Sequence, residues 1–146
     1  MTEQTETLPV LYILMRDDLD SMNPGKAMAQ ASHASNAFVY DIVQKTTAKK
    51  LSKDISKGVA EWRTSTPQGF GTVLVLAVDG KQMNAAVQVA NATGYVAGVV
   101  NDPTYPIKDA EAVFYGPMDT CAYVFCPDKN TDTMLPLILG NFDLHP

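Results

Sequence analysis

Apolar residues fall along this chain in short runs separated by longer periodic stretches. Residues 8–15 are almost unbroken apolar, the mark of a strand buried on both faces. Residues 16–23 are a polar loop, and Asn23-Pro24 is a helix start, with Asn23 as N-cap and Pro24 at the first helical position. The helix predicted over 24–46 carries Ala27, Ala31, Ala34, Phe38 and Ile42 on one stripe, so that face packs on a sheet. A polar, lysine-rich stretch over 47–68 predicts a second helix ending near Trp62. Residues 72–78 read as a second buried strand closed by the turn pair Asp79-Gly80. Met83, Ala86, Val87 and Ala90 then space a helix that Gly94 ends. Residues 96–100 are a short β-branched strand, and 101–106 read as loop because Pro103 and Pro106 oppose regular pairing. Two further strands, 112–115 and 121–126, flank Gly116-Pro117. A last helix over 132–139 turns Leu135, Ile138 and Leu139 inward and stops at Gly140.

Strands alternating with helices predict an α/β fold with helices on both faces of the sheet. The first three strands are candidates for parallel pairing and the last for an antiparallel one. The length, 146 residues, suits a single domain over 8–146 behind a flexible tail at 1–7. The apolar run at 8–15 is too short to span a bilayer, and the acidic residues Glu3 and Glu6 before it make a poor secretory signal. Cys121 and Cys126 are the only thiols and point to opposite faces of one strand, which leaves no disulfide framework. A cytoplasmic protein is the expectation.

Charge complicates the picture. The formal net of −5 argues against a polyanion partner. Lys45, Lys49, Lys50, Lys53, Lys57 and Arg63, however, face only Asp54 and Glu61 in the same window, a local +4 that leaves −9 elsewhere. One basic patch on an acidic protein is a footprint for one-sided polyanion binding, or simply a solvated helix face.

In α/β folds, ligands bind beyond the carboxyl ends of the strands, which singles out the loops after the first and third strands. On the first helix, Lys26, Gln30 and His33 fall within a sector of roughly 60°. Taken alone they describe a solvated face. Yet Lys26 sits in the first turn, where the helix dipole opposes a cation and favours an anion. Asp102, after the third strand, is either a turn residue or a carboxylate that handles an attacking water. No phosphate-binding glycine loop, nucleophile elbow or metal-ligand cluster is present in the sequence, and no cofactor is expected.

The sequence Arg16-Asp17-Asp18-Leu19, then Met22, then Gly25-Lys26-Ala27-Met28-Ala29-Gln30-Ala31-Ser32-His33-Ala34 resembles the opening of the archaeal/eukaryotic-type (class II) peptidyl-tRNA hydrolases. Trp62, Gly94, Asp102 and the segment 120–127 follow in the family's order. The chain departs from that pattern after Asp102. Pro103-Thr104-Tyr105-Pro106-Ile107 replaces the usual Ala-Gly-Arg-Thr-Gln, and 107–119 reads as an inserted strand or hairpin. The resemblance implies a mixed, mostly parallel four-stranded sheet sandwiched between helices, a homodimer, and hydrolysis of the ester joining peptide to tRNA without metal or cofactor. It points to Lys26, Asp102, Thr104, His33 and Gln30 as catalytic residues. Arg16 and the basic patch would hold peptidyl-tRNA. The competing expectation is a binding or regulatory module that keeps the fold without turnover, favoured by the altered loop and by seven acids against Lys108 and Lys129 over 102–146.

Overall fold

The structure, a computed structural model, describes residues 8–109, 112–127 and 134–146. The tail at 1–7, the tip of the inserted hairpin and the first residues of the predicted last helix lie outside the described residues. Four strands, β1 (Val10–Arg16), β2 (Thr72–Val78), β3 (Val96–Asp109) and β4 (Ala112–Cys126), form one sheet in the order β2-β1-β4-β3. The helices are α1 (Pro24–Thr47), α2 (Lys53–Thr64), α3 (Gly80–Ala92) and α4 (Met134–Gly140).

The sheet is mixed, as expected. β1, β2 and β3 run in one direction, but β4 inserts antiparallel between β1 and β3, leaving β1–β2 as the one parallel pair. Strand alternation sorts the core between two faces. Leu11, Ile13 and Met15 of β1 and Cys121, Tyr123 and Phe125 of β4 pack under α1 and α2. Leu14, Ala122, Val124 and Cys126 face α3 and α4, meeting Met83, Leu135 and Leu139. Both cysteines are free and buried, on the opposite faces their spacing implied. Under α2, Phe38 stacks on Phe125 at 5.1 Å and meets Trp62 edge-on at 5.7 Å, while Trp62 Nε1 donates to Thr72 O at 2.9 Å.

Two local readings change. Residues 101–106 are not a free loop but part of β3, which continues into the inserted hairpin with Pro106 opposite Tyr115. An edge strand tolerates proline because its outer N–H groups need no ladder partner, and Pro103 falls in an irregularity between Asp102 and Tyr105. The predicted strands at 112–115 and 121–126 are correspondingly one strand. β2 is an edge strand exposed at its start, and the C-terminal segment covers its other end through Ala77 N to Asp143 O and His145 N to Val75 O, both 2.8 Å. The turn pair Asp79-Gly80 leads straight into α3 with Asp79 as its cap: it accepts from Gln82 N while Gln82 Oε1 accepts from Asp79 N. Gly94, at φ +87°, follows α3 as anticipated.

α2 reaches the sheet through Gly58, where an added Cβ would run into Pro127 and approach its Cα to 2.8 Å. Backbone cannot yield as a flexible side chain does. Gly58→Ala is therefore expected to lower stability by about 1–3 kcal/mol. Chemical denaturation would check this, with an unchanged midpoint contradicting the packing described.

Candidate active site

The loops after β1 and β3 meet at the start of α1. Asn23 Oδ1 caps the helix by accepting from Lys26 N at 2.9 Å, and Pro24 occupies the first turn. With no acidic side chain in that turn, the Lys26 side chain turns to backbone acceptors. Its Nζ donates to Ser21 O at 3.0 Å and to Pro106 O at 3.4 Å, and lies 5.3 Å from the centre of the Tyr105 ring. Tyr105 itself is fully buried beneath the half-exposed lysine. Among the described residues, Lys26 has no carboxylate partner within salt-bridge distance.

One turn along α1, Gln30 is only 3% exposed, so it belongs to the packed face and not to a solvated one. Its Nε2 donates to Asp102 Oδ2 at 2.7 Å and its Oε1 accepts from Thr120 Oγ1 at 2.7 Å. Asp102 Oδ1 accepts from Thr104 N at 2.9 Å and Thr104 Oγ1 at 3.3 Å, closing a local Asx turn. These bonds hold the Asp102 carboxyl below its usual pKa. The Gln30 amide is the main cause and the Thr104 N–H the next; partial burial opposes them, and the Thr104 hydroxyl and the charge of His33 assist. His33 is exposed on the following turn. The structure thus brings Lys26, Gln30, Asp102, Thr104 and His33 to one corner.

The basic residues proposed for substrate lie elsewhere. Arg16 is committed within the chain. Nε and Nη2 grip both oxygens of Asp18 at 2.8 and 3.0 Å, and Nη1 donates to Asp119 O at 3.1 Å. Asp18 also accepts from Gly80 N at 3.3 Å, so the pair ties β1, β4 and the start of α3 together. Lys45 pairs with Asp41 at 2.9 Å, Lys57 approaches Glu61 at 3.9 Å, and Arg63 donates to Gly69 O at 3.1 Å. Lys49, Lys50 and Lys53 project from the α1–α2 junction, fully exposed. At 1.5 Å per residue, Lys45 is about 28 Å from Lys26 along the axis of α1.

Burial raises the Cys121 thiol to about 11, so it is neutral and no nucleophile. Among the described residues no group of three His, Cys, Asp or Glu could hold a metal ion, and no helix is long and apolar enough to cross a membrane. Sequence reasoning missed Ser21 and Thr120, and placed Tyr105 only in the altered loop beside Asp102. The two carbonyls on Lys26 carry no residue-type signal, and Thr120 acts only through the strand register. Gln30 was read with Lys26 and His33 as a face away from the alanine stripe, although it lies four residues before Ala34.

A model of the family described as Peptidyl-tRNA hydrolase PTH2 matches residues 9–122, from the start of β1 into β4. The chain belongs to that family. No curated protein matches it significantly. The match contains every residue of the corner just described, and PTH2 proteins are peptidyl-tRNA hydrolases, so this is a hydrolase fold with its candidate chemistry inside the shared region.

Removing the amide tests the corner directly. Gln30→Leu strips Asp102 of its shortest hydrogen bond and leaves the buried Thr120 hydroxyl without its acceptor. Stability at pH 7 is expected to fall by about 1–3 kcal/mol, and the Asp102 pKa to rise toward the ordinary 3.8, read by carboxyl NMR titration. The sign for the wild type follows. Folded Asp102 and Asp18 hold protons less tightly than the unfolded chain does, so their stabilisation is full above 3.8 and fades as pH falls through their lower folded values.

Proposed function

We propose that the protein hydrolyses the ester bond of peptidyl-tRNA, releasing peptide and free tRNA, with Lys26 and Asp102 managing the charge and the water. The observation that carries this is the Lys26 ammonium held at the first turn of α1 by two carbonyls and a ring face, with no carboxylate among the described residues within ion-pair distance. A cation without a carboxylate keeps its field available for a developing oxyanion, and the helix N-terminus adds to it. Attack by water forms the new carbon–oxygen bond and places negative charge on the carbonyl oxygen. Collapse breaks the bond to the ribose 3′ oxygen, which leaves with the proton the water gives up. Asp102, with its lowered pKa, is a weak base at neutral pH, so its part is to orient the water by accepting a hydrogen bond. Gln30 and Thr104 hold that carboxylate in place, and His33 stands exposed on the next turn of α1. The step runs on side chains alone.

Lys49, Lys50 and Lys53, with Lys45, Lys57 and Arg63 behind them, supply a phosphate-binding surface remote from the reacting ester. In this reading the working form is a homodimer, as the resemblance implies, in the cytoplasm, as the two thiols on opposite faces of one strand suggest. A second reading, a binding module without turnover, draws on the altered loop, whose Tyr105 packs against Lys26, and on the two Lys26 donors and both Asp102 oxygens already engaged within the chain. Turnover separates the two.

Single-turnover release of peptide from a defined peptidyl-tRNA is expected to slow by about 10²–10³-fold in Lys26→Ala, the range for loss of one oxyanion donor. Equal rates would take Lys26 out of the mechanism, and no release by the wild type would leave the binding module. Replacing Lys49, Lys50 and Lys53 together by alanine is expected to raise KM and leave kcat in place. The slope of log affinity against log salt should become shallower by about 2–3 for three lost phosphate contacts. An unchanged slope would mean that the patch is a solvated surface only.

A further inference from the structure

Tyr105 stands where the sequence leaves the family pattern, yet it is one of the largest fully buried side chains of the chain. Full burial is unusual for a tyrosine on an edge strand beside an irregularity. Its surroundings explain it. The ring face carries Lys26 Nζ at 5.3 Å. The hydroxyl accepts from Ser21 Oγ at 3.1 Å and contacts Met22 Sδ at 3.8 Å, fastening the β1–α1 loop. The two carbonyls that receive the Lys26 N–H groups belong to Ser21, which the hydroxyl holds, and to Pro106, the next residue in the chain. One side chain therefore supplies the ring contact and fastens the loop that carries the Ser21 carbonyl, and the Pro106 carbonyl follows it directly in the chain.

The geometry points to Tyr105 as the positioning residue of Lys26, an aromatic platform that aims the ammonium without cancelling its charge. The inference rests on the reading of Lys26 as the oxyanion-stabilising group. A carboxylate in this position would hold the lysine more firmly but would compete with the developing oxyanion. A ring face and two carbonyls orient the cation and leave its field unopposed. Two of the three ammonium donors are used by the carbonyls, which leaves one direction for a ligand. Tyr105 thus does in this chain what a packing residue of equal volume would not.

The test varies the charge of the ring face while keeping the side-chain shape. Tyr105 is replaced by phenylalanine and then by mono-, di- and trifluorophenylalanine, all lacking the hydroxyl, so that the series differs in ring quadrupole. Single-turnover rates are expected to fall stepwise by about ten-fold across the series, with KM constant. In a Lys26→Ala background the same series should be flat. Independently, proton NMR of the wild-type protein should place the Lys26 Hε resonances upfield, within the ring current, and Tyr105→Leu should return them to their ordinary position. Flat rates across the series with Lys26 present would overturn the proposal, as would Hε resonances at ordinary positions in the wild type. If wild type and Lys26→Ala hydrolyse equally, or neither does, the catalytic reading fails instead, and the NMR result alone decides whether Tyr105 holds the ammonium.

Discussion

A glutamine amide buried under a helix must find both an acceptor and a donor, because leaving either unpaired costs a few kcal/mol. Gln30 meets that demand with Asp102 on β3 and Thr120 on β4, so one side chain couples α1 to two strands. The sheet is adapted to it. Val100 pairs with Cys121 but Asn101 pairs with Asp119, which leaves Thr120 as the extra residue of a β-bulge. Without that bulge, Thr120 and Cys121 would point to opposite faces. With it, both are fully buried against α1, where Thr120 donates to the Gln30 amide and Cys121 Sγ to the Gln30 backbone oxygen at 3.4 Å. A second irregularity, between Asp102 and Tyr105, turns the Asp102 carboxylate back onto Thr104 and carries Tyr105 beneath Lys26.

The two charged elements of the corner are consequently held by different means. Asp102 is fixed by hydrogen bonds to both oxygens, which depress its pKa and make it an orienting group. Lys26 is fixed by carbonyl dipoles and a ring face, with no ion pair among the described residues. Arg16 and Asp18 do the opposite: they neutralise each other at 2.8 Å and brace the end of β1 against β4 and the start of α3. The chain contains both an ion pair that serves the scaffold and a cation kept free of one. Only the latter arrangement suits a site where negative charge appears during a reaction.

Much of this was legible in the residues, and the limits have physical causes. The α1 cap, stripe and length come from local rules, and the structure reproduces them closely. The meeting of the loops after β1 and β3 follows from strand direction, which the alternation of elements implied. The insertion of β4 between β1 and β3 did not follow, because strand order depends on contacts distant in sequence. Pro103 and Pro106 were read as loop because prolines are excluded from central strands, but β3 lies at an edge. Gln30 was grouped with Lys26 and His33 on angle alone. Its burial depended on a hydroxyl that only the β4 bulge could deliver, and bulges leave no periodic trace.

The separation of the basic patch from the corner carries an argument about substrate that neither carries alone. The corner stands at the start of α1, a continuous helix of 24 residues, and Lys45 in its last turn is about 28 Å away along the axis, with Lys49 and Lys50 just beyond the helix and Lys53, Lys57 and Arg63 on α2. Asp41 anchors the far end to the sheet by accepting from Tyr123 at 2.9 Å, and the Gln30 network anchors the near end. A small ester bound at Lys26 would never reach Lys49, Lys50 or Lys53, and those lysines would have no bearing on its hydrolysis. A polyanion attached to the ester spans the distance easily and gains affinity from phosphates far from the reacting bond. The acidic balance of the rest of the sequence makes the basic window the favoured side for a polyanion to approach. A net charge of −5 is compatible with such a substrate because the basic charge is gathered at the far end of α1, its connection to α2 and α2 itself.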